Sequence, residues 1–377
     1  MFKSFSLTNF KCFSQKQNFN LKSINVFTGY NGRGKSTVFQ SFLLLAQSLY
    51  DNKNLYELLV NGMFCRLGLF EELRNHNNES QEIRFAFETD NDSYENVELV
   101  YKEKSDRKGA LADIIVNDKS FLAKTQSIGD TTESEFEHLQ HYPEEIHGAF
   151  DNFYFVSADR LGPTPFEVKQ DLYDHNPIGY NGEFRLNVLA GNDNLQHQLA
   201  TVISEVMDGG DLSVKGDSDT EKTHEVLKLY FTSALGEKPV KSINSGFGYS
   251  YIIPILLAAI SMRHGCLFIE NPEAHLHPCA QSKLIKELVL LCKKNNIQLF
   301  IETHSEHVIN ALRLCSLYDG EYEVFTNDDL SMYFFDKDMS VQKLTLLPDG
   351  QVEKWPLGFF DQAERDAAEI LRMGLLK

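Results

Sequence analysis

Two periods of hydrophobic and polar positions run through the chain. Residues 2–10, FKSFSLTNF, alternate as a half-buried strand does, and residues 24–28, INVFT, form a short apolar run. Residues 35–50, KSTVFQSFLLLAQSLY, then switch to the spacing of an amphipathic helix. Between 82 and 118 the runs EIRFAFET, ENVELVYKE and ALADIIVND predict three antiparallel strands joined by polar turns, followed by an acidic stretch at 127–148 to which no element is assigned. FYFVS at 153–157 returns as a strand, NLQHQLATVISEVMD at 194–208 predicts a helix, and GGDLSVKGDSDTEKT at 209–223 predicts an exposed loop. A strongly apolar helix follows within 242–259. Two apolar strands, GCLFIENPE at 265–273 and IQLFIETH at 297–304, come next, the second leading into the helix EHVINALRLC. Short buried strands alternating with helices predict an α/β protein. No heptad run of useful length lies between 51 and 240, which argues against a long coiled-coil arm.

The turn between INVFT and the first helix reads GYNGRGKST, so Gly29, Gly34, Lys35 and Ser36 have the spacing of a phosphate-cradling loop at a strand-to-helix junction. Glycines let the backbone curl with its N–H groups inward, and the helix N-terminus adds partial positive charge. Lys35 is placed to reach the outer phosphates and the Ser36 hydroxyl to take a magnesium site. The nucleotide-binding set expected here is Asn31, Gly32, Gly34, Lys35, Ser36 and Thr37.

Composition narrows the partners. The 377 residues carry 36 Lys and Arg against 54 Asp and Glu, a net charge of −18, so no global positive field would draw in nucleic acid or an anionic membrane, and any DNA contact needs a local patch. The six cysteines (12, 65, 266, 279, 292, 315) form no CxxC pair, which fits reduced thiols in a cytoplasmic protein. No signal peptide is evident, and the longest apolar stretch, 251–262, is too short to span a bilayer.

The second half supplies further chemistry. An apolar strand ending at Glu270 is how an α/β ATPase presents a carboxylate to magnesium beside a phosphate loop, so Glu270 joins Ser36 as a candidate metal ligand. His304 follows another buried strand, where a γ-phosphate sensor would sit; a hydrogen-bonded core histidine is the alternative. His275 and His277 lack the further ligands of a closed metal site. The turn SGFG opens the apolar helix and leaves free helix N–H groups able to meet an anion.

Phosphate loop GYNGRGKST, turn SGFG, acidic strand LFIENPEAHLHP and ETHSEH stand in the order of ABC-type ATPases of the RecF, SMC and OLD class, which the chain resembles. It is more closely similar to small bacterial ATPases of the AAA15 and AAA21 type, many encoded in anti-phage defence operons, through STVFQSFLLLAQSL, YFVSADRLGP, GFGYSYIIPIL and the tail WPLGFFDQ. The resemblance is weakest at 85–150 and 205–240. It implies an ABC-ATPase head with an antiparallel β subdomain, a helical lobe and a small C-terminal α+β extension. It further implies ATP and Mg2+ as cofactors and a homodimer, or higher oligomer, in which Ser245, Gly246 and Gly248 act in trans on the partner's ATP. On this pattern residues 1–50 and 150–330 form the ATPase core with its helical lobe, 51–149 an inserted β-rich segment, and 331–377 the extension.

One departure bears on mechanism. The wider class reads Asp-Glu-Pro-Glu after the acidic strand, whereas this chain reads Glu270, Asn271, Pro272, Glu273. An amide at the usual base position can orient water but cannot take its proton, and general-base assistance is worth about 10²- to 10⁴-fold. Either Glu273 or Glu270 substitutes, or turnover is slow and the ATP-bound dimer long-lived; slow turnover is favoured. Asp159 and Arg160, after FYFVS, are candidates for a loop coupling the γ-phosphate region to the helical lobe, an ordinary surface ion pair being the alternative. Two function classes follow: an ATPase switch controlling an effector, such as a nuclease or toxin encoded nearby, or a RecF-like DNA-binding repair or sensing ATPase. Charge favours the first. A transporter ATPase fits the insertion and signature turn poorly.

Overall fold

The computed structural model describes residues 1–90, 96–117, 119–120, 148, 150, 152–172, 175–218, 225–232, 236, 238–317, 325–356 and 358–375. Nearly all of the acidic stretch expected at 127–148 lies outside them.

Three sheets carry the architecture. The first joins β1 (Phe2–Thr8) and β2 (Gln17–Asn20) to β4 (Glu57–Leu59), β5 (Ile83–Thr89), β6 (Val97–Ser105), β7 (Lys108–Val116) and the short β8 (Lys119–Ser120), all antiparallel. The three strands read between 82 and 118 are β5, β6 and β7. Because β5 pairs directly with β1, the segment read as an insertion continues the N-terminal sheet.

The central sheet runs β17 (Val341–Leu344), β16 (Leu330–Phe335), β3 (Ile24–Gly29), β15 (Ile297–Glu302), β14 (Gly265–Glu270) and β9 (Phe153–Val156). Every pairing from β16 across to β9 is parallel, and only β17 is antiparallel. A parallel strand covered on both faces has no polar side, which is why β14, β15 and β16 read as continuous apolar runs. Since β16 lies inside this sheet beside β3, the core extends past residue 330.

Helix α1 (Lys35–Asn52) lies between the first sheet and the central one. Phe39 and Phe42 meet Phe268 and Phe300 of the central sheet, while Phe42 also meets Phe2 and Phe5 of the first. Phenylalanines of the first sheet, α1 and the central sheet therefore form one aromatic layer, whose burial fixes α1, and with it the turn ahead of it, against both sheets.

The opposite face is covered by α4 (Asp193–Val206), α5 (Phe247–Ser261), α6 (Pro278–Lys294) and α7 (Glu306–Cys315), with the short α2 (Phe70–Leu73) and α3 (Arg185–Leu189) elsewhere and α8 (Gln362–Leu375) near the C-terminus. At 18 residues, α1 is the longest helix among the described residues. The third sheet corrects the expected loop at 209–223 over residues 211–218, and 219–223 lie outside the described residues. Residues Asp211–Ser218 are β11, paired along their whole length with β12 (Glu225–Thr232), with β10 (Glu167–Val168) and β13 (Val240–Lys241) on the other edge of β12. Gly, Asp and Ser made 209–223 look like a loop. Leu212 is nevertheless buried, and the Val214 N–H is held by Gln196 of α4, so tertiary packing overrides the local preference.

Candidate nucleotide site

The candidate residues gather at the C-terminal edge of the central sheet, where open α/β sheets bind ligands. There β3 turns into α1 through the glycine loop. Gly29, Gly32 and Gly34 all have positive φ (125°, 69° and 104°), a backbone that side chains with a Cβ adopt at a cost. At Gly29 a methyl would stand 2.4 Å from the Phe335 carbonyl oxygen, and at Gly34 2.7 Å from Cys12 Sγ, so the loop is seated against β16 and the first sheet. A methyl at Gly32 would meet nothing within 4 Å. Asn31, Gly32 and Ser36 are open to solvent, while Lys35 and Thr37 are buried.

Lys35 donates to the carbonyls of Gly29 (3.2 Å) and Tyr30 (2.7 Å), tying the loop to its own helix. Burial holds its ammonium below the usual lysine range, opposed by Glu302. The Ser36 hydroxyl donates at 2.8 Å to Glu302 Oε1. Sequence reading paired Ser36 with Glu270 and gave Glu302 no role, because the order of strands in space is not written in the chain. β15 lies between β3 and β14, so Glu302 rather than Glu270 ends the strand next to the loop. A carboxylate closing an otherwise apolar run was the available signal.

Glu270 is opposite Glu302 in register. Its Oε2 accepts from the Ala158 N–H (3.0 Å) and the Ser157 hydroxyl (3.3 Å). Burial raises its pKa against those donors and Arg160. Glu302 is pushed up to about 7 by burial and then by Glu270, against the pull of Ser36 and Lys35. Glu273 accepts from the Thr303 hydroxyl (2.8 Å) and the His304 N–H (2.9 Å), which clips the turn after β14 to the end of β15. The His304 ring reaches the Gly29 backbone, and burial followed by Lys35 lowers its pKa, so at neutral pH the ring is uncharged beside the phosphate loop.

Asn271 sits in the left-handed region at φ 43°, and its N–H donates to the Glu302 carbonyl (2.8 Å). Its Oδ1 is buried without a hydrogen-bond partner, as are Thr28 Oγ1 and Glu302 Oε2. Thr28 lies on β3 one residue ahead of the loop and Glu302 ends the neighbouring β15, so two of these open atoms flank the loop strand, where a ligand that brings donors or a cation would satisfy them.

Asp159 and Arg160 part company. Asp159 is exposed, but Arg160 is 3% exposed and donates to the carbonyls of Ser157 (2.9 Å), Glu270 (2.7 Å) and Asn271 (2.7 Å). It is not half of a surface ion pair. Its guanidinium, held by burial down to about 10, clamps the end of β14 and lies over the ring of Tyr251 on α5. The segment after β9 thus touches both the acidic strand and the helix that follows SGFG.

Ser245, Gly246 and Gly248 open α5. Ser245 Oγ donates to the Ser242 carbonyl, Gly246 is the N-cap, where an added methyl would have nothing within 4 Å, and Phe247 beside it is 58% exposed. Gly248 is closer to its own fold, where a methyl would stand 3.2 Å from the His275 carbonyl oxygen.

Residues 24–310 match the family described as "AAA domain, putative AbiEii toxin, Type IV TA system", and residues 325–370 match "Protein of unknown function (DUF3696)". No curated protein matches the sequence. Among solved structures the chain is similar to an Smc head bound to the C-winged helix domain of ScpA (12% identity, 92% of this chain and 98% of that one, TM-score 0.54). It is also similar to an Smc head with an extended coiled coil, bound to the C-terminal domain of ScpA, from Pyrococcus furiosus (10% identity, 98% and 99%, TM-score 0.51). Its fold is that of an ABC-type ATPase head, and the chain belongs to this AAA21 family of ATPases.

Proposed function

We propose that the protein binds ATP with magnesium at the phosphate loop, closes a homodimer around it, hydrolyses it slowly, and uses the ATP-bound dimer as a switch on a partner effector. The observation that carries the reading is the division of the machinery. Lys35, Ser36, Glu302, Glu270 and His304 gather at one sheet edge, while at the α5 N-terminus Gly246 has open space beside it and, among the described residues, no side chain caps the helix. A helix N-terminus with free N–H groups is a place for an anion, and in this reading the phosphate of the ATP held by a second copy fills it.

The site fits the nucleotide and its ion. The loop is built on positive-φ glycines, and Glu302 Oε2, Asn271 Oδ1 and Thr28 Oγ1 are open acceptors. Magnesium is commonly held by one or two carboxylates plus phosphates, and Glu302 and Glu270, paired in register at the strand ends, would supply the carboxylates. When bound, magnesium neutralises charge on the phosphate oxygens. Lys35 would leave the Gly29 and Tyr30 carbonyls for the outer phosphates, Ser36 and a strand-end carboxylate would hold the ion, and neutral His304 would donate to the γ-phosphate. Asn271 would orient water without taking its proton, so turnover is slow. Arg160 would carry closure at Asn271 to Tyr251 and α5.

The family's link to a toxin and a Type IV system supports an effector switch in defence against phage, with a nuclease or toxin encoded nearby as the partner. The charge of −18 weakens the DNA-binding alternative. No helix among the described residues is long and apolar enough to cross a membrane, and a cytoplasmic location accords with the reduced cysteines.

Sedimentation with and without ATP and magnesium tests the dimer. Wild type is expected to shift to a dimer with ATP, and Gly246→Trp to stay monomeric while folding normally, because its own fold leaves that position open. The same oligomer in all four samples would exclude the trans contact.

A further inference from the structure

The acidic strand β14 is the obvious source of the metal-side carboxylate, but its Glu270 is held on one side. One oxygen takes the Ala158 N–H and the Ser157 hydroxyl, donors from the segment that also carries Arg160. Glu273 is likewise committed to Thr303 and His304. Glu302 differs from both. It is 6% exposed, its Oε1 holds the phosphate-loop serine at 2.8 Å, and its Oε2 is buried with no hydrogen bond. A carboxylate withdrawn this far from water with an open oxygen is costly unless the working state brings a cation or donor to it. Its place follows from topology. β15 pairs with β3 on one side and β14 on the other, so Glu302 stands between the loop strand and Glu270.

We propose that Glu302 is the principal metal-side carboxylate of this site: it positions the Ser36 hydroxyl and supplies the buried acceptor for the ion's coordination shell. Glu270 is then the link between the site and the Ser157–Arg160 segment. The inference rests on the nucleotide-binding reading and names the residue that serves its metal.

The test uses manganese as the probe. The full-length protein is saturated with a non-hydrolysable ATP analogue, and free Mn2+ is followed by electron paramagnetic resonance. Analogue affinity is measured separately in EDTA. Glu302→Gln is expected to weaken Mn2+ binding to the protein–analogue complex at least about tenfold, the usual loss when a group orienting a metal ligand is removed, while metal-free analogue affinity is kept or improved. Ser36→Ala combined with Glu302→Gln should cost less than the sum of the single changes, since both act through one contact. Glu302→Asp keeps the charge but shortens the reach to Ser36, and it is expected to lose Mn2+ affinity too, which retains the test if the amide variant folds poorly. Mn2+ affinity within about twofold of wild type in the folded Gln or Asp variant overturns the inference and leaves nucleotide binding standing. A wild type that binds no analogue in EDTA or with Mn2+ overturns the phosphate-loop reading and the inference with it.

Discussion

Replacing Asn271 with Glu restores the acid that the wider ATPase class carries after its acidic strand, and the structure sets both the gain and the cost. On the gain side, Asn271 directly follows Glu270, its N–H donates to the Glu302 carbonyl and its Oδ1 has no hydrogen-bond partner, so on the proposed reading a carboxylate there is the group that takes the proton of the attacking water. General-base assistance is worth about 10²- to 10⁴-fold. On the cost side, position 271 has φ 43°, a conformation that asparagine tolerates and glutamate resists by about 1–2 kcal/mol. The new carboxylate also joins Glu270 and Glu302, both already raised by burial, so its ionisation is resisted in turn. Discounting for that misfit, Asn271→Glu should hydrolyse ATP roughly ten- to a hundredfold faster, about 1.4–2.7 kcal/mol off the barrier, while being less stable to heat. The assay is single-turnover hydrolysis with protein in excess over radiolabelled ATP, with ATP affinity and melting temperature measured on the same preparations. A folded, ATP-binding variant no faster than wild type would sink the idea that the amide at 271 limits the rate. If Glu273→Gln then abolished turnover, Glu273 would be the base and slow switching would lose its support.

Two further outcomes test the frame around the site. Gly29→Ala must place a methyl 2.4 Å from the Phe335 carbonyl oxygen at φ 125°, so it should cost more than about 1 kcal/mol in urea denaturation, and an unchanged midpoint would show that the loop is not pinned to β16. Glu167, with Arg185 Nε 3.6 Å away in the core, has its pKa raised to about 7 by burial. Its native form therefore holds a proton that the unfolded form releases above about 4.5, so its contribution to stability is full below that pH and is lost as pH rises through about 7. Melting temperatures of wild type across roughly pH 5 to 8 should accordingly fall more steeply with rising pH than those of Glu167→Gln, and parallel curves would count against the assignment.

How much of this was legible in the sequence depends on whether the signal was local. The phosphate loop, α1, the apolar strands ending at Glu270 and Glu302, and the SGFG turn before α5 all announce themselves by period or motif, because each depends on neighbours a few residues away. β11 did not, since a strand with only Leu212 and Val214 apolar among Asp, Ser, Gly and Lys is held by its partner β12 and by Gln196 rather than by its own propensity. Glu302 was missed for the same reason at a larger scale: its contact with Ser36 spans 266 residues of chain and exists only because β15 inserts between β3 and β14. Arg160 was noticed, but its partners, the carbonyls closing β14, come from the fold.

The proposed dimer, metal site and switch would all depend on ATP being held by the glycine loop through Lys35, whose ammonium rests on the loop's own carbonyls. Calorimetric titration of ATP with magnesium into wild type and Lys35→Ala measures this grip. Hydrogen bonds to charged groups are worth about 1.5–3 kcal/mol each, so the variant should bind at least about tenfold more weakly while keeping the wild-type melting profile. Equal affinity in the two proteins would mean that Lys35 does not hold the phosphates.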